Sequence, residues 1–180
     1  MKMKCELKGL KGALDMYDVK KVEKALNLTL QELGKGVRTV ATREISAEYN
    51  VKQKDLRAHI AVSPVRNNAV EVTVTGARPP LTEFGATQTR RGVSFRIRKG
   101  GGRSMLPSAF ITTIKYGRGV FAREKGGKGR VPRGPVSVFT GPSIPQLFSS
   151  EKVMSKIRAY VGEADRIFWS KLQWLIGGKR

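Results

Sequence analysis

The chain has 180 residues, 39% of them hydrophobic, and its 35 lysines and arginines against 14 acids give a formal net charge of +21. A chain of this length hides roughly 70% of its unfolded surface on folding, so a packed core is expected and wholesale disorder is excluded. Such a charge repels copies of itself and attracts polyanions; nucleic acid, an acidic protein or an anionic membrane face would each supply the countercharge.

From Asp18 to Glu48 the apolar residues fall at Val19, Val22, Leu26, Leu30, Leu33, Val37, Val40, Ala41 and Ile45. Steps of three and four predict a long helix, with Asp18 as its N-cap. Gly34 and Gly36 weaken that helix and mark either a bend or a close helix contact. A shorter helix is predicted over 51–60, after a turn at Tyr49-Asn50. Val70, Val72 and Val74 then alternate with polar residues in a half-buried strand that Gly76 and Pro79-Pro80 terminate. Val93, Phe95 and Ile97 alternate with Ser94, Arg96 and Arg98, a strand with apolar groups on one face and arginines on the other. Shorter strands are predicted at 110–114, 120–123 and 136–139. Val153, Ile157, Val161, Ala164, Phe168, Leu172 and Leu175 form one helical stripe that ends at Gly177-Gly178.

Helices at the ends and strands between them predict the α+β class, an antiparallel sheet packed against a long N-terminal and a long C-terminal helix with basic Gly-rich loops. We expect one domain over 1–180, helical at 18–60, strand and loop at 61–143, and helical again at 144–176.

Between Gln88 and Arg133 stand thirteen cationic residues, Arg90, Arg91, Arg96, Arg98, Lys99, Arg103, Lys115, Arg118, Arg123, Lys125, Lys128, Arg130 and Arg133, with Glu124 the one acid. Many flank the runs Gly100-Gly101-Gly102 and Gly126-Gly127, where glycine would let a cationic loop follow a phosphate backbone or an acidic groove. The bland alternative is a solvated basic face. Few aromatics interleave, which argues against base-specific reading. The candidate partner- or polyanion-contacting residues are Arg90, Arg91, Arg96, Arg98, Lys99, Arg103, Arg123, Lys125, Lys128, Arg130 and Arg133.

Little points to catalysis. His59 and Cys5 are the only histidine and cysteine, so a Cys/His metal cluster is excluded, and the acids are dispersed without a visible two-metal ligand set. Gly117-Arg118-Gly119-Val120-Phe121-Ala122 fits the dinucleotide fingerprint formally, but a strand and a Gly-rich loop follow where a helix is needed. Gly127-Lys128 is followed by Gly129, not the Ser or Thr of a phosphate loop. The reading is non-enzymatic, with no cofactor and no small-molecule substrate. A lone cysteine fits a reducing compartment, the N-terminal lysines precede no apolar run of a secretion signal, and no stretch approaches the length of a membrane span. The runner-up function is nucleic-acid binding, through the basic loops or a helix-turn-helix-like corner at 46–60: Ser46-Ala47-Glu48-Tyr49-Asn50-Val51 with Leu56 and Ile60 has helix-turn-helix spacing and would turn Lys52, Gln53, Lys54 and Arg57 to a groove. An ordinary helix–helix corner closing the core explains the same spacing.

Several segments, in their order, carry a resemblance. These are the long first helix followed by Glu48-Tyr49-Asn50-Val51-Lys52-Gln53-Lys54-Asp55-Leu56, the turn Arg78-Pro79-Pro80-Leu81-Thr82-Glu83-Phe84, the strand Ala109-Phe110-Ile111, and Gly119-Val120-Phe121-Ala122-Arg123. The most telling is Val138-Phe139-Thr140-Gly141-Pro142-Ser143-Ile144-Pro145-Gln146-Leu147-Phe148, leading into a last helix with Trp169 and Trp174. The chain so resembles the minor tail protein Z family of tailed bacteriophages and prophages. The resemblance implies a structural virion protein, assembled in the host cytoplasm, that completes the tail and prepares its head-proximal end for joining. It implies other tail or neck proteins as partners, a homo-oligomeric ring, and DNA passing through the lumen as a further contact. It supplies no catalytic residues.

Overall fold

A computed structural model describes residues 2–5, 18–76, 78–114, 117–123 and 136–177 of the chain. Helix α1 spans Val19–Glu48, and its first turn is capped as expected: Asp18 Oδ1 accepts from the Lys20 N–H at 3.0 Å. Val22, Leu26, Leu30, Leu33, Val37, Ala41 and Ile45 are all buried, so the predicted stripe is the core face; Val19, at the first turn, is exposed instead. Thr29 and Thr42, buried among them, return their hydroxyls to the Ala25 and Thr39 carbonyls of the same helix. Both helical glycines mark close contacts: a Cβ on Gly34 would meet the Val62 and Val70 side chains, and one on Gly36 the Tyr160 ring.

Helix α2 is Gln53–His59, shorter than predicted, because Ile60 leaves the helix for strand β2, Ile60–Val62. Pairing with β3, Val70–Val74, supplies the backbone partners that another helical turn would have supplied. Strand β1, Lys2–Cys5, pairs with the other side of β3 to give the order β1-β3-β2. Val70, Val72 and Val74 are buried, as their alternation predicts.

Two further antiparallel sheets follow. One is β4-β5-β6, from Thr87–Thr89, Gly92–Phe95 and Ser104–Pro107; the other is β7-β8-β9, from Ala109–Ile114, Gly117–Arg123 and Val136–Phe139. The single sheet expected is thus three separate ones among the described residues. Sequence patterning misses β1, β2, β4 and β6. The predicted strand at 93–97 stops at Phe95, because the Arg96 N–H turns to the Phe84 carbonyl at 3.1 Å and the Ile97 carbonyl accepts from Asn50 at 2.8 Å. The Gln88 side chain borders β7: its Oε1 accepts from the Ile111 N–H at 2.8 Å and its Nε2 donates to the Ala109 carbonyl at 3.3 Å. A side-chain amide there substitutes for a neighbouring strand.

The C-terminal stripe is helical throughout but segmented into α3 (Ile144–Phe148), α4 (Glu151–Val161) and α5 (Ala164–Ile176). Ser149-Ser150 separates α3, and Gly162-Glu163 makes a turn between α4 and α5 that keeps Gly162 in helical conformation. The stripe keeps its phase across that turn: Val153, Ile157, Phe168 and Leu172 are buried. Two core clusters result. The larger joins Val37, Ala41 and Ile45 to Leu56, Leu81, Phe84, Val93, Val120, Leu147 and Ile157; the smaller joins Val22, Ala25, Leu26 and Leu30 to Val70, Phe168 and Leu172. Helix α1 runs through both. The architecture is α+β, with antiparallel sheets and long helices at both ends.

Candidate functional site

The predicted cations do not share one role once the chain is folded. Arg90 and Arg91 form the two-residue tip of the β4–β5 hairpin; both are exposed, and the Arg91 carbonyl accepts from the Ser108 N–H at 3.1 Å. That hydrogen bond ties the tip to the turn between β6 and β7 and fixes where the two guanidinium groups leave the surface.

Arg103 is spent internally. Its Nε donates to Ser94 Oγ at 2.9 Å, and its Nη2 faces the Gly85 carbonyl at 3.0 Å, Thr87 Oγ1 at 2.9 Å and the Ser94 carbonyl at 3.1 Å. The planar fork spans β4, β5 and the turn before them, which a single ammonium could not do. Arg96 is half-buried with its Nε among buried polar atoms lacking a partner. Arg98 lies 5.7 Å from the Tyr49 ring centroid, with Nε 3.9 Å from Glu48 Oε1. Arg98 therefore anchors the segment after β5 to the end of α1, and neither Arg96 nor Arg98 lies within a strand to line an outward face.

Lys99 is exposed beside them, its backbone N–H bound to the Glu48 carbonyl at 2.9 Å. Arg118 and Arg123 lie on opposite faces of β8, and Arg123 is placed over the Phe110 ring at 5.9 Å. Lys115, Lys125, Lys128, Arg130 and Arg133 fall outside the described residues. Of the described candidates, Arg90, Arg91, Lys99 and Arg123 are exposed and form no ion pair among the described residues; the same holds for the neighbouring Arg118, whereas Arg98 and Arg103 are exposed but hold the contacts just given.

One structural cation escaped the sequence reading. Arg38 Nη2 donates to the Arg57 carbonyl at 2.7 Å, linking α1 to α2. No periodicity announces such a contact, since it joins residues on two different elements. On α2 the side chains of Lys52, Gln53, Lys54 and Arg57 are exposed while Leu56 and Ile60 are buried, so the corner closes the core and presents a short basic face at once.

The acids are less dispersed in space than in sequence. Burial raises the pKa of Glu83 above its ordinary 4.5, and Asp55 raises it further while His59 lowers it. His59 itself bonds Thr75 through Nδ1 at 3.1 Å. Among the described residues, no group of three or more His, Cys, Asp or Glu is placed to hold a metal ion, and no helix is long and apolar enough to cross a membrane. What this surface can do chemically is attract and orient anionic groups. Comparison with protein-family models, with curated proteins and with solved structures returns no match.

Proposed function

We propose that this chain is a structural phage tail protein that acts in tail completion and head–tail joining, docking its cationic surface onto acidic tail or neck proteins within a ring. The observation that carries the docking part is uncompensated charge. Arg90, Arg91, Lys99, Arg118 and Arg123 project from hairpin tips and strand ends anchored to a hydrogen-bonded scaffold, with no ion pair among the described residues. Preorganised cations lose less entropy on binding than mobile ones, and they steer encounter with an anionic partner. The tail assignment rests on the resemblance in the order of the segments.

The test is complementation of particle assembly with Arg90→Gln, Arg91→Gln and Arg123→Gln combined. The proposal expects stable protein, tails of normal length and a loss of joined particles; unchanged yield of joined particles would overturn it.

A second reading is favoured by the exposure of Lys52, Lys54 and Arg57 on α2: a nucleic-acid contact, including DNA passing through a ring. It expects duplex binding whose affinity falls steeply with salt. If replacing those three residues leaves DNA affinity unchanged, that reading fails.

A further inference from the structure

The sheet β7-β8-β9 has two unlike faces. Directly paired residues share a face, so the register groups Ala109, Ile111, Val120, Ala122, Ser137 and Phe139 on one side and Phe110, Ile114, Phe121, Arg123, Val136 and Val138 on the other. The first group faces the core: Ala109 and Val120 are buried in the larger cluster, with Ile111, Ala122 and Phe139 packed against it.

The second side, which also takes Thr112, buries Phe121 and half-buries Phe110 but leaves its aliphatic residues in solvent. Val136, Val138 and Ile114 are 49%, 56% and 43% exposed. An antiparallel sheet with one face in water normally alternates apolar inward and polar outward, but β9 places Ser137 inward and both valines outward. Beside the valines, Phe121 lies over Gly119, where an added Cβ would be 2.9 Å from its ring, and its ring centroid is 6.2 Å from that of Phe110. Arg123 stands over Phe110.

We infer that this outer face is a docking surface for an acidic protein segment that combines aliphatic or aromatic residues with carboxylates. The aliphatic groups would cover Val136, Val138 and Ile114, while the carboxylates meet Arg123. Charge selects this occupant over a second copy. The outer face carries Arg123 and the three strands contain no acid, so a two-fold contact between identical faces would oppose like charges. The chain as a whole carries +21. The sign of the partner rests on the docking reading above, whereas the apolar component stands on the inverted alternation of β9.

The test uses the full chain and three short fluorescent peptides, one alternating leucine with glutamate, one leucine with lysine, and one serine with glutamate. The inference expects the leucine–glutamate peptide to bind at least about tenfold more tightly than either control. Val136→Thr with Val138→Thr should weaken that binding severalfold, and Arg123→Gln should remove most of its salt dependence. Both sites are exposed, so the variants should keep the wild-type melting temperature, which is measured alongside. Equal binding of the serine–glutamate peptide would reduce the surface to plain electrostatics and overturn the inference. So would failure of the leucine–glutamate peptide to bind, or self-association of the wild-type chain that the valine replacements abolish, since a second copy would then be the occupant. None of these outcomes depends on particle assembly, so the tail reading stands or falls separately.

Discussion

Gly36 and Tyr160 share one notch between α1 and α4: a Cβ built on Gly36 would lie 1.9 Å from the Tyr160 hydroxyl oxygen and 2.2 Å from the ring carbon that bears it. A glycine in mid-helix costs up to about 1 kcal/mol relative to alanine, so something must offset it, and the tyrosine ring seated against the bare backbone is that offset. Gly36→Ala should therefore destabilise the protein by about 1–3 kcal/mol through overpacking, despite alanine's helix preference. In a Tyr160→Ala background the same substitution should be neutral or mildly stabilising, because the crowding partner is gone. Denaturant unfolding of the four proteins in the cycle checks this; additive effects would show that the notch does not set the cost.

Arg103 separates scaffold from docking surface. Its hydrogen bonds to Ser94, Gly85 and Thr87 hold the β4–β5 hairpin to its approach turn. Arg103→Lys keeps the charge but cannot reproduce the fork. We expect a stability loss of about 1–2 kcal/mol with little change in elution from a polyanionic heparin matrix. Arg90→Gln with Arg91→Gln should do the reverse, eluting at lower salt with an unchanged melting temperature.

The contrast shows what the sequence could and could not disclose. The stripe of α1 and the Val70–Val74 alternation were legible because burial follows the period of one element, which is local information. Strands β4 and β6 were not: Thr87–Thr89 has no apolar alternation, and Ser104–Pro107 contains a proline, so the register with β5 fixes them. The same distinction divides the candidate cations. Charge density located Arg90, Arg98, Arg103 and Arg123 equally well, but whether each faces solvent or a carbonyl is a long-range property of the fold. The apolar outer face of β9 was hidden for a related reason, since the strand pattern of Val136–Phe139 gives two faces without saying which one meets the core.

Glu83 gives a pH-dependent prediction. Its raised pKa, caused first by burial and then by Asp55, means that the folded state holds the proton more tightly than the unfolded chain does. The favourable contribution is complete below the unfolded value near 4.5 and is lost as pH rises through the folded value. At neutral pH the carboxylate is a partly screened liability. Glu83→Gln should then raise stability at pH 7 by no more than about 1 kcal/mol, and the gain should shrink to nothing as pH falls below the carboxylate range. Melting temperatures of both proteins across that range decide it; a gain that persists in acid would assign the effect to packing.

Gly141 and Phe84 join the turn at 78–84 to the segment that leads into α3. The Gly141 N–H donates to the Pro79 carbonyl at 2.8 Å, Thr140 bridges Pro80, and a Cβ on Gly141 would fall 2.2 Å from a Phe84 ring carbon. Phe84 is fully buried in the larger cluster beside Leu81, Ile144 and Leu147, so its ring has no room to retreat. Gly141→Ala should cost about 1–3 kcal/mol, because the clash meets a packed ring that cannot swing into solvent. Phe84→Leu should cost a comparable amount alone by leaving part of the cluster unfilled. The two together should cost less than their sum, since the smaller side chain gives the new methyl space. Because α3 begins three residues after Gly141, the single variant should also speed amide exchange at Leu147 and Phe148, whereas an effect confined to residues 78–84 would show that the contact positions only the turn.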